Sequence, residues 1–384
     1  QTSQSKAALQ VICTDLLFGS GRISRSGHTQ ELQQAMRRVR LSHRELKAAL
    51  EAKGMNATGY APRTAQGQAV VLGAHTQKGG LNRYRYARIN AVAEVDGQDL
   101  IQQLVSEGYD LVEGLSTNSS EVTLLPEKSK RFFVHPMFSD VLCFSPGTDL
   151  HSHPRVTTGR LVLQDLASSL PVHALVGTGT GVKRQFEFVI DACASPGNKA
   201  SQIFTSALTP HGMVLAVEAD AARLALLRQN LRRLNAYRVR VVHGDWLKQD
   251  PRDAPQCDAT AALVDPSCSN SGTHPDASTI SPTRLKRLAS FQKQALLHAF
   301  SFQNMQVVVY STCSIHPEEN EDVVKAALDA CGGMFELEHP LPHWPRRGLA
   351  GRFVGAEHCV RTDPDEDRTQ GFFLASFVRT TAGR

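Results

Sequence analysis

Several features are missing from this sequence of 384 residues, and each absence excludes a class of protein. It contains no run of about 18 uncharged apolar residues, so we expect no membrane-spanning helix. Its eight cysteines include no CxxC pair, which argues against a zinc site or a thioredoxin-type motif. Strong net charge is also missing: a value of +5 with 41% hydrophobic residues excludes a largely disordered chain. The composition predicts a globular, metal-free and mildly basic protein, compatible with a polyanionic partner.

Hydrophobic patterning divides the chain into three parts. Residues 1–79 contain an amphipathic helical pattern at 30–53, with a basic face, and then a linker rich in Gly and Ala. Residues 80–154 alternate short strands with one helix, which predicts a small α+β domain. From 155 to 384 strands and helices alternate, which predicts an α/β domain with a doubly wound, mostly parallel sheet. Ligands of such sheets bind at the carboxyl ends of the strands.

The ranges of the predicted strands and helices give the positions of these strand ends in the sequence. In the small domain we expect strands at 84–89, 131–134 and 141–144 and a helix at 97–108. In the last domain we expect strands at 186–190, 213–217, 239–242, 259–264, 307–310 and 371–378, and helices at 199–208, 221–234, 281–302 and 318–331. Polar or reactive residues follow five of these strands.

The first three strand ends suggest a nucleotide-like ligand. After the first strand comes Asp191 and a run of mostly small residues that opens a helix, namely Cys193, Ala194, Ser195, Pro196, Gly197, Asn198 and Lys199. Small residues let a backbone approach a ligand closely, and helix N–H groups attract an anionic group. The next strand ends in Glu218, placed to accept ribose hydroxyls, and the third in Asp245, suited to an adenine amino group. The alternatives are an ordinary strand-to-helix turn and a helix cap by Asp220.

The fourth and fifth strand ends each carry a cysteine. Asp265 and Cys268 follow the fourth strand, and Cys313 follows the fifth. An isolated cysteine is most often a small core residue, but these two begin loops and are each followed by Ser. A thiolate that adds to carbon 6 of a pyrimidine makes carbon 5 nucleophilic towards a methyl group. The second thiol would assist proton loss or adduct release, and Asp265 would activate the ring.

Three motifs together resemble a known family. DACASPGNK at 191–199, VDPSCS at 264–269 and YSTCS at 310–314 are similar in order and spacing to motifs of the Sun-family (NSUN and RsmB-like) RNA (cytosine-5)-methyltransferases. The likeness is strongest to the branch that modifies large-subunit ribosomal RNA. It implies a Rossmann-like S-adenosylmethionine-dependent methyltransferase domain behind a smaller α+β RNA-binding domain and a helical N-terminal segment.

The resemblance also implies roles for individual residues. Cys313 takes the position of the nucleophile and Cys268 that of the second cysteine, tied to product release. The loop from Cys193 to Lys199 takes the position of the S-adenosyl-L-methionine site. Glu218 takes the ribose position, and the resemblance assigns further cofactor or base contacts to Arg223, Asp245 and Asp265. This chain departs from the family pattern at Ala200, Glu218 and Asn270, and none of the three changes removes a catalytic group.

The function expected from these residues is methyl transfer from S-adenosylmethionine to a cytosine in ribosomal RNA, through a covalent Cys–cytosine intermediate. The alternative is an RNA-binding ribosome assembly factor that keeps the fold but turns over little. A methyltransferase acting on a protein or small molecule has no need for two thiols at strand ends. The resemblance implies a nucleolar location, whereas a targeting segment upstream of Gln1 would indicate a mitochondrion.

One cluster in the small domain suggests an RNA surface. It interleaves aromatic and cationic residues: Lys78, Arg83, Tyr84, Arg85, Tyr86 and Arg88. Aromatic rings and cations on one surface are typical of single-strand RNA binding. The alternative is a strand with one buried side and solvated arginines, and the pattern alone supports both equally.

Overall fold

Two β-sheets organise the described part of this computed structural model, which comprises residues 83–92, 97–113, 125–273 and 280–381. Both sheets lie within one compact unit, residues 80–384. The helix predicted at 30–53, the linker after it and Lys78 lie outside the described residues.

The smaller sheet has five strands in the order β2-β3-β4-β1-β5. Its elements are β1 (Arg85–Ile89), α1 (Gly97–Ser106), β2 (Asp110–Leu111), β3 (Arg131–Val134), β4 (Val141–Phe144), α2 (Pro154–Thr157) and β5 (Leu161–Leu163). The apolar side of α1 packs on one face of this sheet through Leu100, Ile101 and Leu104. The last strand of the sheet, β5, follows residue 154 in the chain.

The larger sheet has the order β11-β13-β10-β9-β6-β7-β8, with β12 paired to β13. Its strands are β6 (Phe186–Asp191), β7 (Leu208–Glu218), β8 (Val239–His243), β9 (Ala261–Val264), β10 (Val307–Thr312), β11 (Phe335–Leu337), β12 (Val360–Thr362) and β13 (Phe372–Arg379). Strands β8, β7, β6, β9 and β10 are parallel neighbours, and β13 is antiparallel to β10. The chain leaves β6 towards β8 and returns on the other side to β9, so the order reverses at β6.

Helices cover both faces of this sheet. They are α3 (Leu166–Leu175), α4 (Asn198–Ser206), α5 (Ala221–Arg233), α6 (Pro282–Phe300) and α7 (Glu321–Ala330). Helices α3, α4 and α5 contribute to one apolar cluster, and α6 and α7 to another. Every residue of β9 and β10 is buried, as expected for parallel strands covered on both sides. The predicted α/β architecture is confirmed, and no helix within the described ranges is long and apolar enough to cross a membrane.

Three predicted element boundaries are wrong. The helix expected at 199–208 ends at Ser206, and the strand expected from 213 begins at Leu208, which pairs with Phe186 of β6. The helix expected from 318 begins at Glu321, because Pro317–Glu319 form a separate 3-10 turn. In that turn Glu319 is fully buried, and its side chain is held by contacts to other loops.

The predicted RNA surface on β1 is wrong for three of its residues. Tyr84, Tyr86 and Arg88 are 8%, 4% and 1% exposed. Strand β1 lies between β4 and β5, and its tyrosines pack into the apolar cluster that also covers the larger sheet. Arg88 donates hydrogen bonds to the Gln164 side chain and to the Ser201 hydroxyl on α4. The alternating pattern therefore reflects the junction between the two sheets. The alternative of one buried side with solvated arginines is also wrong for Arg88, which is buried.

Candidate active site

The carboxyl ends of the five parallel strands bring the predicted site residues to one edge of the larger sheet. Strand β6 ends at Asp191 and β7 at Glu218, whereas Asp265 and Cys313 each follow the last residue of β9 and β10. Since these strands are parallel neighbours, their ends share an edge, and the loops after them meet.

The loop after β6 is held against α5 by reciprocal hydrogen bonds. The Ser195 hydroxyl donates to the Arg223 carbonyl over 3.0 Å, and the Arg223 guanidinium donates to the Ser195 carbonyl over 3.1 Å. The Pro196 carbonyl accepts a further bond from a side-chain amide of α5. Gly197 has φ = 102°, a backbone conformation that favours glycine, and a Cβ there would have to displace the end of the Leu227 side chain, 2.9 Å away.

Two acidic side chains beside this loop retain unused acceptor oxygens. Both carboxyl oxygens of Asp191 and Oε2 of Glu218 are buried without a hydrogen-bond partner among the residues that the structure describes. Burial, together with the nearby Asp265, raises the pKa of Asp191 to about 7. Arg223 Nε lies 3.6 Å from Glu218 Oε2, and the other Glu218 oxygen accepts the Asp220 N–H. Buried acceptors without donors indicate a ligand that supplies donors or positive charge.

The two predicted cysteines are in contact. Sγ of Cys268 lies 3.1 Å from Sγ of Cys313, although 45 residues separate them in the sequence. Cys268 is 8% exposed, whereas Cys313 is only half-buried and so is the more accessible thiol. Cys313 also donates to the side-chain oxygen of Asn270 over 2.9 Å. Asn270 has φ = 59°, a conformation that asparagine tolerates better than most residues.

The hydrogen bond with Cys313, and then burial, raise the pKa of Cys268 well above its ordinary value. Cys268 is therefore a neutral thiol at physiological pH. The protonated Cys268 thiol therefore lies directly beside the more exposed Cys313 thiol.

Asp265 lies between a cation and a hydroxyl. Lys199 Nζ is 2.7 Å from one Asp265 oxygen, and the Ser311 hydroxyl donates to the other over 2.8 Å. Burial alone would lower the pKa of Lys199, but Asp265 outweighs it and the net shift is upward, so Lys199 is charged at neutral pH. Lys199 therefore lies beside the loop after β9, which carries both Asp265 and Cys268. Its pairing with Asp265 was not predicted from the sequence, which placed Lys199 only in the cofactor loop.

The loops that carry the cysteines are packed too closely for side chains at two glycines. A Cβ on Gly272 would lie 1.9 Å from the Gly371 carbonyl oxygen. The Gly272 N–H donates to the Cys313 carbonyl, and the Gly371 N–H donates to the Gly272 carbonyl. Two loops distant in sequence thus fix the backbone at Cys313.

The remaining predicted residues have structural contacts at the same edge. Asp245 caps a 3-10 turn by accepting the Leu247 N–H, and Asn198 donates its side-chain amide to a carbonyl of β5. Burial raises the pKa of Cys193, so its thiol stays neutral. Ala200 is fully buried on α4, which accounts for a small residue there.

Sequence reasoning assigned no role to the acidic run after Cys313. Asn320 is fully buried, accepting from the Thr312 hydroxyl over 2.6 Å and donating to the Ser314 carbonyl over 2.8 Å, so it contacts both neighbours of Cys313. Glu321 is fully buried and pairs with Arg361. The sequence alone contained no clear signal for this role, because acidic residues and an asparagine are ordinary at the start of a helix.

Comparison with known proteins gives matches over both sheets. The family model described as 16S rRNA methyltransferase RsmB/F matches residues 182–378, and the one described as the ferredoxin-like domain of NOL1/NOP2/Sun domain family member 5 matches residues 83–164. Among curated relatives, a 28S rRNA (cytosine-C(5))-methyltransferase of Mus musculus is 39% identical over 302 residues, covering 77% of this chain and 62% of that protein.

A second relative and a solved structure agree with these matches. The 25S rRNA (cytosine-C(5))-methyltransferase NSUN5 of Arabidopsis thaliana is 41% identical over 254 residues, covering 62% of this chain and 43% of that protein. This chain thus spans less than two thirds of either relative's length. A methyltransferase homologue from Pyrococcus horikoshii, solved by crystallography, aligns with a TM-score of 0.62 at 25% identity, over 78% of this chain and 87% of its own.

Proposed function

The chain belongs to the RsmB/F family of rRNA methyltransferases and carries the ferredoxin-like domain of family member 5, and on that premise we propose that it is an S-adenosylmethionine-dependent rRNA (cytosine-5)-methyltransferase. The observation that carries the proposal is the pair of thiols 3.1 Å apart at the carboxyl ends of adjacent parallel strands. Cytosine-5 methylation requires one thiol to bond the base and a second group to complete the reaction.

The residues at the ends of β6 and β7 fit S-adenosylmethionine. Its ammonium group and ribose hydroxyls are donors, and the buried acceptors of Asp191 and Glu218 have none from the described chain. Its positive charge suits an edge where Asp265 and Glu218 lie close enough to raise the pKa of Asp191. The loop from Cys193 to Lys199, together with Arg223 and Asp245, completes the proposed site. When bound, the cofactor supplies a methyl group on a sulfonium, an electrophile that carbon 5 of an activated cytosine can attack.

Cys313 is the proposed nucleophile because it is the more accessible thiol. Its thiol first loses its proton to solvent. The sulfur then bonds to carbon 6, and the electrons of the 5,6 double bond move to carbon 5. Asp265 and Lys199 face the same place, where an ion pair can hydrogen-bond to the polar edge of the base and accept the charge that develops there. After methylation, loss of the carbon 5 proton expels Cys313 and restores the ring.

Cys268 is the proposed acceptor of the carbon 5 proton. In the free protein its pKa is raised chiefly by its hydrogen bond with Cys313. Once the Cys313 sulfur is bonded to carbon 6, it is no longer a thiolate and that effect is removed. Cys268 then ionises more readily, at the stage when a base is needed. The interaction between the two thiols thus makes attack by Cys313 on carbon 6 precede ionisation of Cys268.

The proposed substrate is an unpaired or flipped cytosine of ribosomal RNA, since a stacked base cannot reach a thiol in a pocket. The printed activities of the mouse and Arabidopsis relatives favour large-subunit RNA. The proposed location is the nucleolus, where such an activity would be needed, with the mitochondrion as the alternative. A low-turnover assembly factor would not require the contact between the two thiols.

Loss of the protein should remove methylation at a discrete cytosine of ribosomal RNA. Bisulfite sequencing of ribosomal RNA from cells with and without the protein measures this directly. We expect one position, or a few, to change from protected to converted, and re-expression to restore protection. Unchanged protection across all ribosomal RNA, with purified protein that binds RNA but transfers no methyl group, would support the assembly-factor alternative.

Cofactor affinity should rise with pH through about 7. Asp191 has its pKa raised from the usual carboxyl range to about 7, so below that pH it is neutral in the free protein. A cationic ligand favours the ionised form, and linkage makes binding on the order of tenfold weaker at pH 5.5 than at pH 7.5. Isothermal titration calorimetry with S-adenosylmethionine measures this trend. In Asp191→Asn the dependence should disappear; an equally flat profile for the unsubstituted protein would contradict the assignment.

A further inference from the structure

Glu319 lies beneath the two cysteine loops, in the 3-10 turn after Cys313. Its side chain is fully buried. One carboxyl oxygen accepts the Ser269 N–H over 3.0 Å and the Gln292 side-chain amide over 2.8 Å, and the other accepts the Ser314 hydroxyl over 2.5 Å. Because Ser269 follows Cys268 and Ser314 follows Cys313, a single carboxyl group holds the residue after each cysteine.

The serine hydroxyls strengthen this connection between the loops. Ser269 Oγ lies 3.0 Å from Ser271 Oγ and 3.1 Å from Ser314 Oγ, within hydrogen-bonding distance of both, and all three serines are buried. The Ser271 hydroxyl also accepts the Ile315 N–H over 3.0 Å. The serine hydroxyls on their own therefore connect the two loops less strongly than they do together with Glu319. The buried Glu319 carboxylate accepts a hydrogen bond from the Ser314 hydroxyl.

Gln292 ties the same cluster to helix α6. Its amide donates to Glu319 and to the Ser267 carbonyl over 3.0 Å, so residues on both sides of Cys268 are held. Gln292 is itself fully buried on the face of α6 that packs on the sheet. Cys268 is thus held in place by contacts to helix α6 as well as to the Cys313 loop.

We propose that Glu319 is a positioning residue that sets the separation of the Cys268 and Cys313 thiols. The proposal rests on the proposed cytosine-5 methylation, in which the two thiols act on adjacent carbons of one ring. Reacting groups tolerate little misplacement, and a shift of about 1 Å can cost on the order of 10²-fold in rate. Glu319 touches neither thiol, so its effect passes through the backbone of Ser269 and Ser314.

The test compares Glu319→Ala and Glu319→Gln with Glu321→Gln as the matched control. Glu321 is equally buried, lies two residues away and is held by Arg361. The first readout is the rate at which diamide joins Cys268 to Cys313, followed by peptide mass. As the S–S bond forms, the two thiols give two electrons and two protons to the azo group, which becomes a hydrazine.

Wild-type protein should cross-link readily, because the sulfurs need only close from 3.1 Å to about 2.05 Å. Glu319→Ala should slow this at least about tenfold, since it removes two hydrogen bonds to the cysteine loops and one to helix α6. Glu319→Gln keeps one oxygen for Ser269 and Gln292 and should stay within about threefold of wild type, as should Glu321→Gln. If Glu319→Ala does not fold, Glu319→Asp, which keeps the acceptors but cannot reach both loops, takes its place.

The second readout is single-turnover methyl transfer with saturating RNA and cofactor. We expect Glu319→Ala to be slower on the order of 10²-fold while its affinity for S-adenosylmethionine stays within about threefold. Equal slowing of both readouts by Glu321→Gln, or wild-type rates in Glu319→Ala, would overturn the proposal. Absence of methyl transfer by the wild type would refute the proposed function instead, and the cross-linking rates would still decide the role of Glu319.

Discussion

Replacing Cys313 with alanine should abolish methyl transfer while leaving cofactor binding intact. The substitution removes the sulfur that bonds to carbon 6, and loss of a covalent nucleophile lowers turnover by more than about 10³-fold. Asp191 and Glu218, the proposed cofactor acceptors, lie at the ends of other strands and are unaffected. Transfer of a labelled methyl group to ribosomal RNA measures activity, and calorimetry with S-adenosylmethionine measures binding.

Cys331→Ala is the appropriate control for this experiment. Cys331 is a buried thiol at the end of α7, where it donates to a helix carbonyl. Its loss should lower stability by about 1 to 2 kcal/mol without changing the rate of the chemical step. Residual transfer by Cys313→Ala above about 10% of the wild-type rate would show that another group attacks the base.

Replacing Cys268 with alanine should instead trap a covalent protein–RNA complex. Cys313 can still add to carbon 6, and carbon 5 can still be methylated. Without the thiol 3.1 Å from Cys313, no nearby group takes the carbon 5 proton, and Cys313 cannot leave. Loss of a general base slows a step by about 10² to 10⁴-fold, so the adduct should accumulate. A slow-migrating band on a denaturing gel that disappears on RNase treatment measures it.

The double variant Cys268→Ala/Cys313→Ala separates this result from non-specific cross-linking. It lacks the attacking sulfur and should give no band. Product release at the wild-type rate by Cys268→Ala would be incompatible with the proposed division of work between the two thiols.

Much of the fold was predictable because burial leaves a local mark on the sequence. Strand β10 begins with the apolar run Val307–Tyr310, and the structure buries the whole strand between helices. Helix α6 shows apolar residues at helical spacing, and Ala295, Leu296 and Ala299 are the ones that face the sheet. The placement of Asp265, Cys268 and Cys313 just after their strands followed from the same reasoning.

The error on β1 has the opposite cause. Alternation of Tyr84 and Tyr86 with arginines marks a strand with two different faces, but it cannot tell what covers each face. The tyrosines pack into the apolar cluster that also covers the larger sheet. Arg88 is buried, and its guanidinium donates a hydrogen bond to Ser201 on helix α4. An aromatic and cationic pattern is therefore a weak sign of an RNA surface when the strand lies at the centre of a sheet.

The sequence by itself determined the alternation of strands and helices and the residue types at each strand end, since these depend on local periodicity and on loop chemistry. Only the tertiary structure decided which of those residues touch: Cys268 with Cys313, Lys199 with Asp265, and Glu319 with both cysteine loops. Such contacts join residues tens of positions apart, and they are fixed by the order of strands in the sheet and by the packing of the loops above it.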